Sequence, residues 1–184
     1  MFYRIVLGID ISPGMYYICR NIFCMKQMRK ASRQKSAEWA SEVFDKAPYV
    51  TVSMTRHDGT PYGLPLSLVR KGDDTFYFHC ADDGEKMDCI KNNPTVSLSA
   101  VSRCKPTFEE DKNNFTEYYH SAIALGKAEI VMDDEEKIES LRLLCQRFLP
   151  KYMGHFDEAV KRSLARTTVV RISLIEPPVG KCKP

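Results

Sequence analysis

Alternation of apolar and polar residues through the first half of the chain predicts a run of short strands. Residues 49–55 (YVTVSMT) alternate with the two-residue period of a half-buried strand. Asp58 and Gly59 follow, and Asp-Gly is a strong signal for a hairpin turn. Further strands are predicted over 61–70 and 75–80, so we expect these three strands to form an antiparallel meander.

Helical spacing replaces this alternation in four segments. Ser36 is a typical N-cap residue, and the residues after it place their apolar side chains on one helical face. Asp133 and Glu136 have the Asp-x-x-Glu spacing of a capping box at the start of a helix. The predicted helices cover residues 36–46, 84–92, 133–148 and 155–165.

Three more strands, over 95–104, 115–132 and 167–176, bring the predicted number to six. The segment 105–114 is polar and is predicted to be a loop, and Gly126 is expected to permit a bend or bulge in the long strand. Consecutive antiparallel strands with a helix between two of them argue against a doubly wound α/β sheet. The pattern predicts a mainly β fold with flanking helices, in the form of a small closed or split antiparallel β-barrel.

Composition places the chain among ordinary globular proteins. It has 184 residues, of which 43% are hydrophobic and 28% charged, and this length suits one domain. The net charge of +3 is too small to indicate nucleic acid or an anionic membrane by itself. The seven cysteines are scattered without a C-x-x-C pair, which favours reduced thiols in the cytoplasm. No segment has the length of apolar sequence that a membrane span needs.

The N-terminal residues do not follow the pattern of the rest. Residues 1–24 are apolar, but Asp10 and Pro13 interrupt them and no signal-peptide cleavage site follows. We expect these residues to be an extension outside the core, arising from a start codon assigned too early, and residues 25–184 to form a single domain. Residues 26–35 carry five cations and no acid, which is typical of a solvated lead-in segment.

Several familiar catalytic motifs are absent from the sequence. It contains neither the P-loop pattern nor the Rossmann G-x-G-x-x-G fingerprint, and it lacks H-E-x-x-H and G-x-S-x-G. The four histidines are far apart in the sequence and lack metal-ligand spacing. We therefore predict no metal site.

One segment carries candidate chemistry, the strand-turn-helix sequence TFYFHCADDGEKMDCIKNNPTVSLSAV over residues 75–101. Gly84 would let backbone amides approach an anion at the start of the helix, and Lys86 adds a full positive charge there. A phosphate site is one interpretation. The alternative is an ordinary surface helix, because the nearby carboxylates of Asp82, Asp83 and Glu85 are also common capping residues.

Four blocks of the chain resemble, in order and spacing, the nitroimidazole-resistance (Nim-type) proteins. These proteins belong to the pyridoxamine-phosphate-oxidase-like FMN-binding split barrels, and the resemblance covers roughly residues 25–182. The blocks are GTPYGLPLSLV (59–69), FHCADDGEKMDCIKNNPTV (78–96), YHSAIALGKAEIVMDDEEKIESLRLL (119–144) and VVRISLIEPPVGK (169–181).

The resemblance implies a six-stranded split barrel that forms a homodimer with FMN in a cleft between the subunits. The segment 65–67 would lie along the isoalloxazine ring, Gly84 and Lys86 would hold the phosphate, and His79 would contact the substrate. The residues that the resemblance implies for the cofactor are Pro65, Leu66, Ser67, Cys80, Gly84, Lys86 and Ser121.

Plainer interpretations of these residues remain open. His79 alternates with Tyr77 and is compatible with a packed or exposed histidine on a strand, and Ser67 and Ser121 with strand serines that face water. The aromatic residues of TFYFHC are more typical of barrel core than of a stacking surface. The cysteines near the site lack a partner that would indicate a nucleophile.

The function that the resemblance implies is an FMN-dependent oxidoreductase. Electrons would pass from a reduced nicotinamide to a small electron-poor acceptor such as a nitroimidazole or another nitroaromatic. The alternative is a non-catalytic protein that holds flavin or haem as a sensor or store. Pyridoxamine-phosphate oxidation itself is disfavoured, because Glu85 stands where that branch has an arginine.

A third function, nucleic-acid binding by a small barrel, rests on the aromatic strand 75–80 and the basic segment 26–35. Acidic residues surround those aromatic side chains, which argues against it. These residues are Asp73, Asp74, Asp82 and Asp83.

Overall fold

A computed structural model of the chain describes residues 28–184, so the predicted extension at 1–24 lies outside the described residues. Within 28–184 there are nine strands and four α-helices. The strands are β1 (Gln34–Lys35), β2 (Val50–Thr55), β3 (Pro61–Leu66), β4 (Val69–Lys71), β5 (Thr75–Cys80), β6 (Thr95–Glu109), β7 (Asn114–Ile130), β8 (Thr168–Leu174) and β9 (Val179–Lys183). The α-helices are α1 (Ala37–Lys46), α2 (Glu85–Asn92), α3 (Asp134–Phe148) and α4 (Phe156–Ser163).

All nine strands belong to one antiparallel sheet with the main order β3-β2-β6-β7-β8-β5-β4, and β9 joins β7 and β1. This confirms the predicted class, a mainly β fold with flanking helices. The sheet has three more strands than the six predicted. The segment 61–70 divides into β3 and β4, and the short β1 and β9 pair with each other.

The two hairpins of the predicted meander are present, since β2 pairs with β3 and β4 with β5, but they do not form one continuous meander, because β3 and β4 lie at opposite ends of the sheet order. Only Ser67 and Leu68 separate them, so the Cα atoms of Leu66 and Val69 are at most about 11 Å apart. The sheet must therefore curl until its two ends approach each other. Leu68 and Val69 are adjacent, yet both side chains are buried. The alternation of a strand is therefore broken where the chain passes from one end of the sheet to the other.

Two apolar clusters hold the helices against the curled sheet. Inside the curl, Phe44 of α1 packs against Phe76 of β5, with their ring centroids 5.2 Å apart, and both side chains are fully buried. On the other side of β5, Tyr77 packs with α3 and α4. Phe76 and Phe78 are thus core residues, as the plainer interpretation predicted.

Helix starts follow the predicted capping residues. Ser36 Oγ accepts a hydrogen bond of 3.3 Å from the backbone N–H of Trp39, and Asp133 Oδ1 accepts one of 2.8 Å from Glu136. Both contacts span three residues, which is why the sequence alone could indicate them. No helix in residues 28–184 is long and apolar enough to cross a membrane.

Gly126 serves close packing and does not mark a bulge. A Cβ atom at this position would lie 2.6 Å from Ile172 Cγ2 and 3.0 Å from the Ser173 carbonyl oxygen, so only glycine lets β8 approach β7 here. The register shift of the β6–β7 pair lies instead between Val101 and Arg103.

The predicted loop at 105–114 is mostly strand. β6 and β7 remain paired to Glu109 and Asn114, and this hairpin carries the exposed Phe108 and Phe115 at its tip. The two rings contact each other, with their centroids 4.7 Å apart. This cross-strand contact stabilises strand pairing in a segment whose sequence is mostly polar.

Candidate functional site

The outer face of the sheet carries small and polar side chains at matching registers. Pro65 of β3 pairs with Thr51 of β2, Thr51 with Ser99 of β6, and Ser99 with Ile123 of β7. Residues paired in this way point to the same side of a sheet, and these four lie opposite the buried core. The result is a shallow face without bulky polar groups at its centre.

At the edge of this face lies the segment predicted to follow a flavin ring. β3 ends the sheet order and pairs only with β2, so its other side has no sheet partner within the described residues. Pro65 and Ser67 are exposed, whereas the Leu66 side chain is half-buried against the core. Leu66 can therefore offer a ligand its backbone groups, but not its side chain.

The start of α2 has the properties of an anion site. Gly84 has φ of 99°, which only glycine adopts readily, and no atom lies within 4 Å of where its Cβ would be. No side chain caps the helix here, so the capping role considered for Asp82, Asp83 and Glu85 is not realised. Lys86 is half-buried and makes no ion pair with the described residues, leaving its charge available to a ligand.

Arg56 alters the charge balance at this helix start. Its Nε atom lies 2.8 Å from Glu85 Oε1, and its guanidinium carbon lies 4.8 Å from the centroid of the Tyr62 ring. Glu85 is therefore neutralised by a cation from the β2–β3 hairpin, and α2 is tied to that hairpin. The role of Arg56 could not be predicted from the sequence, because a separation of 29 positions between the ion-pair partners leaves no local signal.

Cys80 points into the core beside the helix start. Its Sγ atom lies 3.6 Å from Met87 Sδ, and it is half-buried. Burial raises the pKa of the Cys80 thiol, although the charge of Lys86 opposes this shift. A raised thiol pKa disfavours the thiolate, so Cys80 has the properties of a packing residue and not of a nucleophile.

His79 faces the helical side of β5. It is exposed and lines a cavity of about 300 Å³ between β5, α3, α4 and the 3-10 helix Pro150–His155. His155 lines the same cavity, and neither imidazole makes a hydrogen bond to the described residues. The remaining lining is mostly apolar and includes Leu141, Met153, Phe156 and Val160. The cavity suits a small apolar molecule with a group that can bond to imidazole.

Ser121 lies on the outer face, half-buried in the middle of β7. It pairs with Val101 of β6 on one side and with Lys181 of β9 on the other. Ser121 and Pro65 therefore share a face of the sheet, while none of the cofactor residues implied by the resemblance lines the His79 cavity. Register through β7, β8 and β5 places His79 on this outer face as well, in the part that α3 and α4 cover.

A larger cavity, of about 610 Å³, has no relation to these residues. It lies between α1, the turn after β4 and the segment after β8, and its charged lining is mostly acidic. The charged residues are Glu38, Glu42, Arg70, Asp73, Asp74 and Glu176. Such a lining repels a phosphate, so we place no cofactor there. In residues 28–184 no cluster of three or more His, Cys, Asp or Glu side chains could hold a metal ion.

Comparison with known proteins identifies the family. A family model described as pyridoxamine 5'-phosphate oxidase matches residues 36–177. A search of curated protein sequences gave no significant match.

Several solved structures share this fold. A Bacteroides thetaiotaomicron protein assigned to 5-nitroimidazole antibiotic resistance superposes with a TM-score of 0.67 at 22% identity, over 80% of this chain and 87% of that one. The Azotobacter vinelandii flavocytochrome Anf3 gives 0.69 at 20% identity, over 86% and 72%. A FAD- and haem-binding protein of Mycobacterium smegmatis gives 0.66 at 23% identity, over 82% and 73%. Identities this low establish the fold alone.

Proposed function

We propose that this chain, which belongs to the pyridoxamine 5'-phosphate oxidase family, is an FMN-dependent oxidoreductase that reduces small electron-poor acceptors such as nitroimidazoles. The observation that carries the proposal is the uncapped start of α2, where the open Gly84 and the unpaired Lys86 fit a phosphate group. Fold relatives whose names refer to flavin, or to 5-nitroimidazole resistance, point to the same chemistry.

Residues of this chain fit the other parts of FMN as well. The free edge of β3 offers backbone groups beside Pro65, Leu66 and Ser67, which would hydrogen-bond the isoalloxazine ring and fix its orientation. Ser121 would contact the flavin from the outer face of the sheet, and Cys80 would pack beneath the phosphate site. When bound, FMN would supply the electron transfer, and the protein would supply binding and electrostatics.

A homodimer would complete the site. The outer face exposes Val101 and Ile123, with 49% and 43% of their surfaces accessible, beside the proposed ring contacts. A second copy of the chain seated on this face would bury both apolar side chains and cover the flavin. It would also allow one subunit's His79 to serve the ring held by the other, since none of the proposed cofactor residues lines the His79 cavity within a chain.

In this account His79 contacts the acceptor at the edge of its apolar cavity. Its unpartnered imidazole can donate a hydrogen bond to a nitro oxygen, and the apolar lining favours a neutral aromatic ring over water. The free cysteines among the described residues agree with a reducing compartment, and we propose the cytoplasm.

The second candidate is a sensor or store that binds haem or flavin without turnover. It is favoured by the placement of His79 and His155 on one apolar cavity, because imidazole is a common haem ligand. Relatives in fold are named for binding haem.

Absorption spectroscopy separates the candidates. The purified protein is incubated with FMN, desalted, and its visible spectrum recorded before and after adding a reduced nicotinamide and then a nitroimidazole. We expect a retained flavin spectrum that bleaches with the reductant and recovers with the nitroimidazole. Retained flavin without turnover, or a Soret band after incubation with haem, would favour the second candidate. Failure to retain any flavin would overturn the FMN assignment.

A further inference from the structure

Cations without carboxylate partners gather at the edge of the outer face. Arg33, just before β1, approaches Tyr119 of β7, with 3.4 Å between Arg33 Nη1 and the Tyr119 hydroxyl. Lys181 Nζ lies 5.4 Å from the centroid of the Tyr119 ring. Lys183 lies at the same distance from the Tyr118 ring and donates a hydrogen bond to Thr116. We call Arg33, Tyr119, Lys181 and Lys183 the basic cluster.

The three cations of the basic cluster make no ion pair with any described carboxylate. The neighbouring end of the β6–β7 hairpin carries four carboxylates, and none of them makes an ion pair with the three cations. Glu109 accepts hydrogen bonds from Tyr118 and Asn114 and lies 3.7 Å from Lys112, and Glu117 accepts one from the Cys104 thiol. Hydrogen bonds from Tyr118 and Asn114 lower the pKa of Glu109, and the charge of Lys183 adds to this shift, so Lys183 is partly compensated. Arg33 and Lys181 have no carboxylate partner within residues 28–184.

The Tyr119 hydroxyl registers this positive potential. Partial burial opposes its ionisation, but contacts with Lys181 and Arg33 outweigh this effect, and the pKa of Tyr119 lies below its usual value. This is the direction expected for a tyrosine beside cations.

The position of the basic cluster indicates its role. Lys181 is the register partner of Ser121, which is the proposed flavin contact on β7, and Lys183 is the partner of Tyr119. The cluster therefore adjoins the proposed flavin ring and is well separated in sequence from the phosphate site at Gly84 and Lys86. A ligand group held there would belong to a second molecule beside the flavin.

We propose that Arg33 and Lys181 bind the pyrophosphate group of a dinucleotide electron donor, beside the flavin contact at Ser121. The role of the ligand as an electron donor rests on the proposed function, whereas the binding of a pyrophosphate group does not. Two cations match a group with several negative oxygens better than a single carboxylate, and the Arg33 guanidinium can bind two of those oxygens at once. Arg33 and Lys181 both approach Tyr119, so their charges lie in one small area, which fits a pyrophosphate and not an extended nucleic-acid strand.

Inorganic pyrophosphate is the probe for the site. It is titrated into the full chain while amide chemical shifts are followed by NMR, in the wild type and in an Arg33→Gln, Lys181→Gln double variant. We expect saturable shifts at residues 119, 181 and 183, and at least a tenfold weaker affinity in the double variant. The control variant, with Lys91→Gln and Lys127→Gln, also loses two positive charges, but from exposed positions on α2 and β7. Its affinity for pyrophosphate should be unchanged.

Several outcomes would overturn the proposal. They are shifts confined to other residues, an equal loss of affinity in the control pair, and no saturable binding of pyrophosphate. Tight binding of a single-stranded 20-nucleotide DNA that pyrophosphate does not displace would assign the cluster to nucleic acid instead. Arg33→Lys keeps the positive charge and should retain most of the affinity for pyrophosphate. This variant separates a loss of charge from a general loss of folding.

A kinetic measurement tests the role of the ligand separately. Flavin reduction by a reduced nicotinamide dinucleotide should slow at least tenfold in the double variant at low donor concentration, while reduction by dithionite is unchanged. Equal slowing with both reductants would contradict the donor role. If the protein retained no flavin, the proposed function would be wrong. The pyrophosphate titration would still decide whether the basic cluster binds this group.

Discussion

Arg147 of α3 and Leu68, between β3 and β4, are joined by a hydrogen bond of 2.7 Å from the guanidinium Nη1 to the Leu68 carbonyl oxygen. The Nη2 atom donates to the carbonyls of Phe44 and Ala47, each at 2.8 Å, at the end of α1. Burial lowers the pKa of Arg147. One half-buried cation thus fixes three backbone segments at the point where the two ends of the sheet approach each other.

Replacing Arg147 with methionine should lower the free energy of unfolding by about 3 kcal/mol, because three buried carbonyls would lose a charged donor. Urea denaturation measures the change. Lys46→Met is the control, since its ion pair with Glu42 is exposed, and it should change the stability by less than about 0.5 kcal/mol. Equal effects of the two substitutions would show that Arg147 does not organise this junction.

Gly126→Ala should destabilise the protein by roughly 2 kcal/mol, because the new methyl group would meet Ile172 and the backbone of Ser173. Thermal unfolding followed by circular dichroism would detect the loss. Gly154→Ala is the matched control, since no atom lies within 4 Å of where its Cβ would be. A wild-type melting temperature for Gly126→Ala would mean that β7 and β8 are not packed as closely as described.

Tyr77 should make stability depend on pH in alkaline solution. Burial, aided by a hydrogen bond of 2.8 Å to Glu136, raises its pKa to about 12 from the ordinary value of 10.0. Between these two values the folded protein keeps a proton that the unfolded chain loses, so the free energy of unfolding falls as the pH rises. Below pH 10 this contribution is fully present.

Tyr77→Phe tests this dependence. The variant should lose stability at neutral pH by about 1 kcal/mol through the missing hydrogen bond, and its stability should fall less steeply between pH 10 and 12. Urea denaturation at a series of pH values gives both results. Tyr49→Phe, at a position 57% exposed, serves as the control and should keep the wild-type slope. A wild-type slope in Tyr77→Phe would contradict the assignment.

Lys86→Ala should weaken FMN binding about thirtyfold, or about 2 kcal/mol, by removing a charge-assisted contact to the phosphate. Quenching of flavin fluorescence during titration measures the affinity. Lys91→Ala removes the same charge from the last turn of α2 and should leave the affinity unchanged. If the two variants bound FMN equally well, the phosphate site would have to lie elsewhere.

Features set by neighbouring residues could be predicted from the sequence. The caps at Ser36 and Asp133 depend on contacts three residues away, and the helix after Gly84 begins one residue later than predicted. Strand alternation gave β5 with its correct ends. It did not divide β3 from β4, because each of them forms a hairpin with its neighbour in sequence. They are separated only by the pairing of β2 with β6 and of β5 with β8, whose partners lie far away in the chain.

The same limit applies to the candidate site. Gly84 and Lys86 could be singled out because an anion site at a helix start lies within a few residues. Arg56 reaches Glu85 across 29 residues, and Arg33 reaches Tyr119 across 86. His79 meets its cavity only because α3 and α4 pack on that side of β5. None of these contacts leaves a periodic signal in the sequence.

A paired titration shows whether the chain holds FMN through its phosphate. Apoprotein is titrated with FMN and, separately, with riboflavin, which has the same ring system but lacks the phosphate. The account predicts one FMN bound per chain and binding of riboflavin weaker by about a hundredfold or more. Equal affinity for the two flavins, or no binding of either, would contradict it.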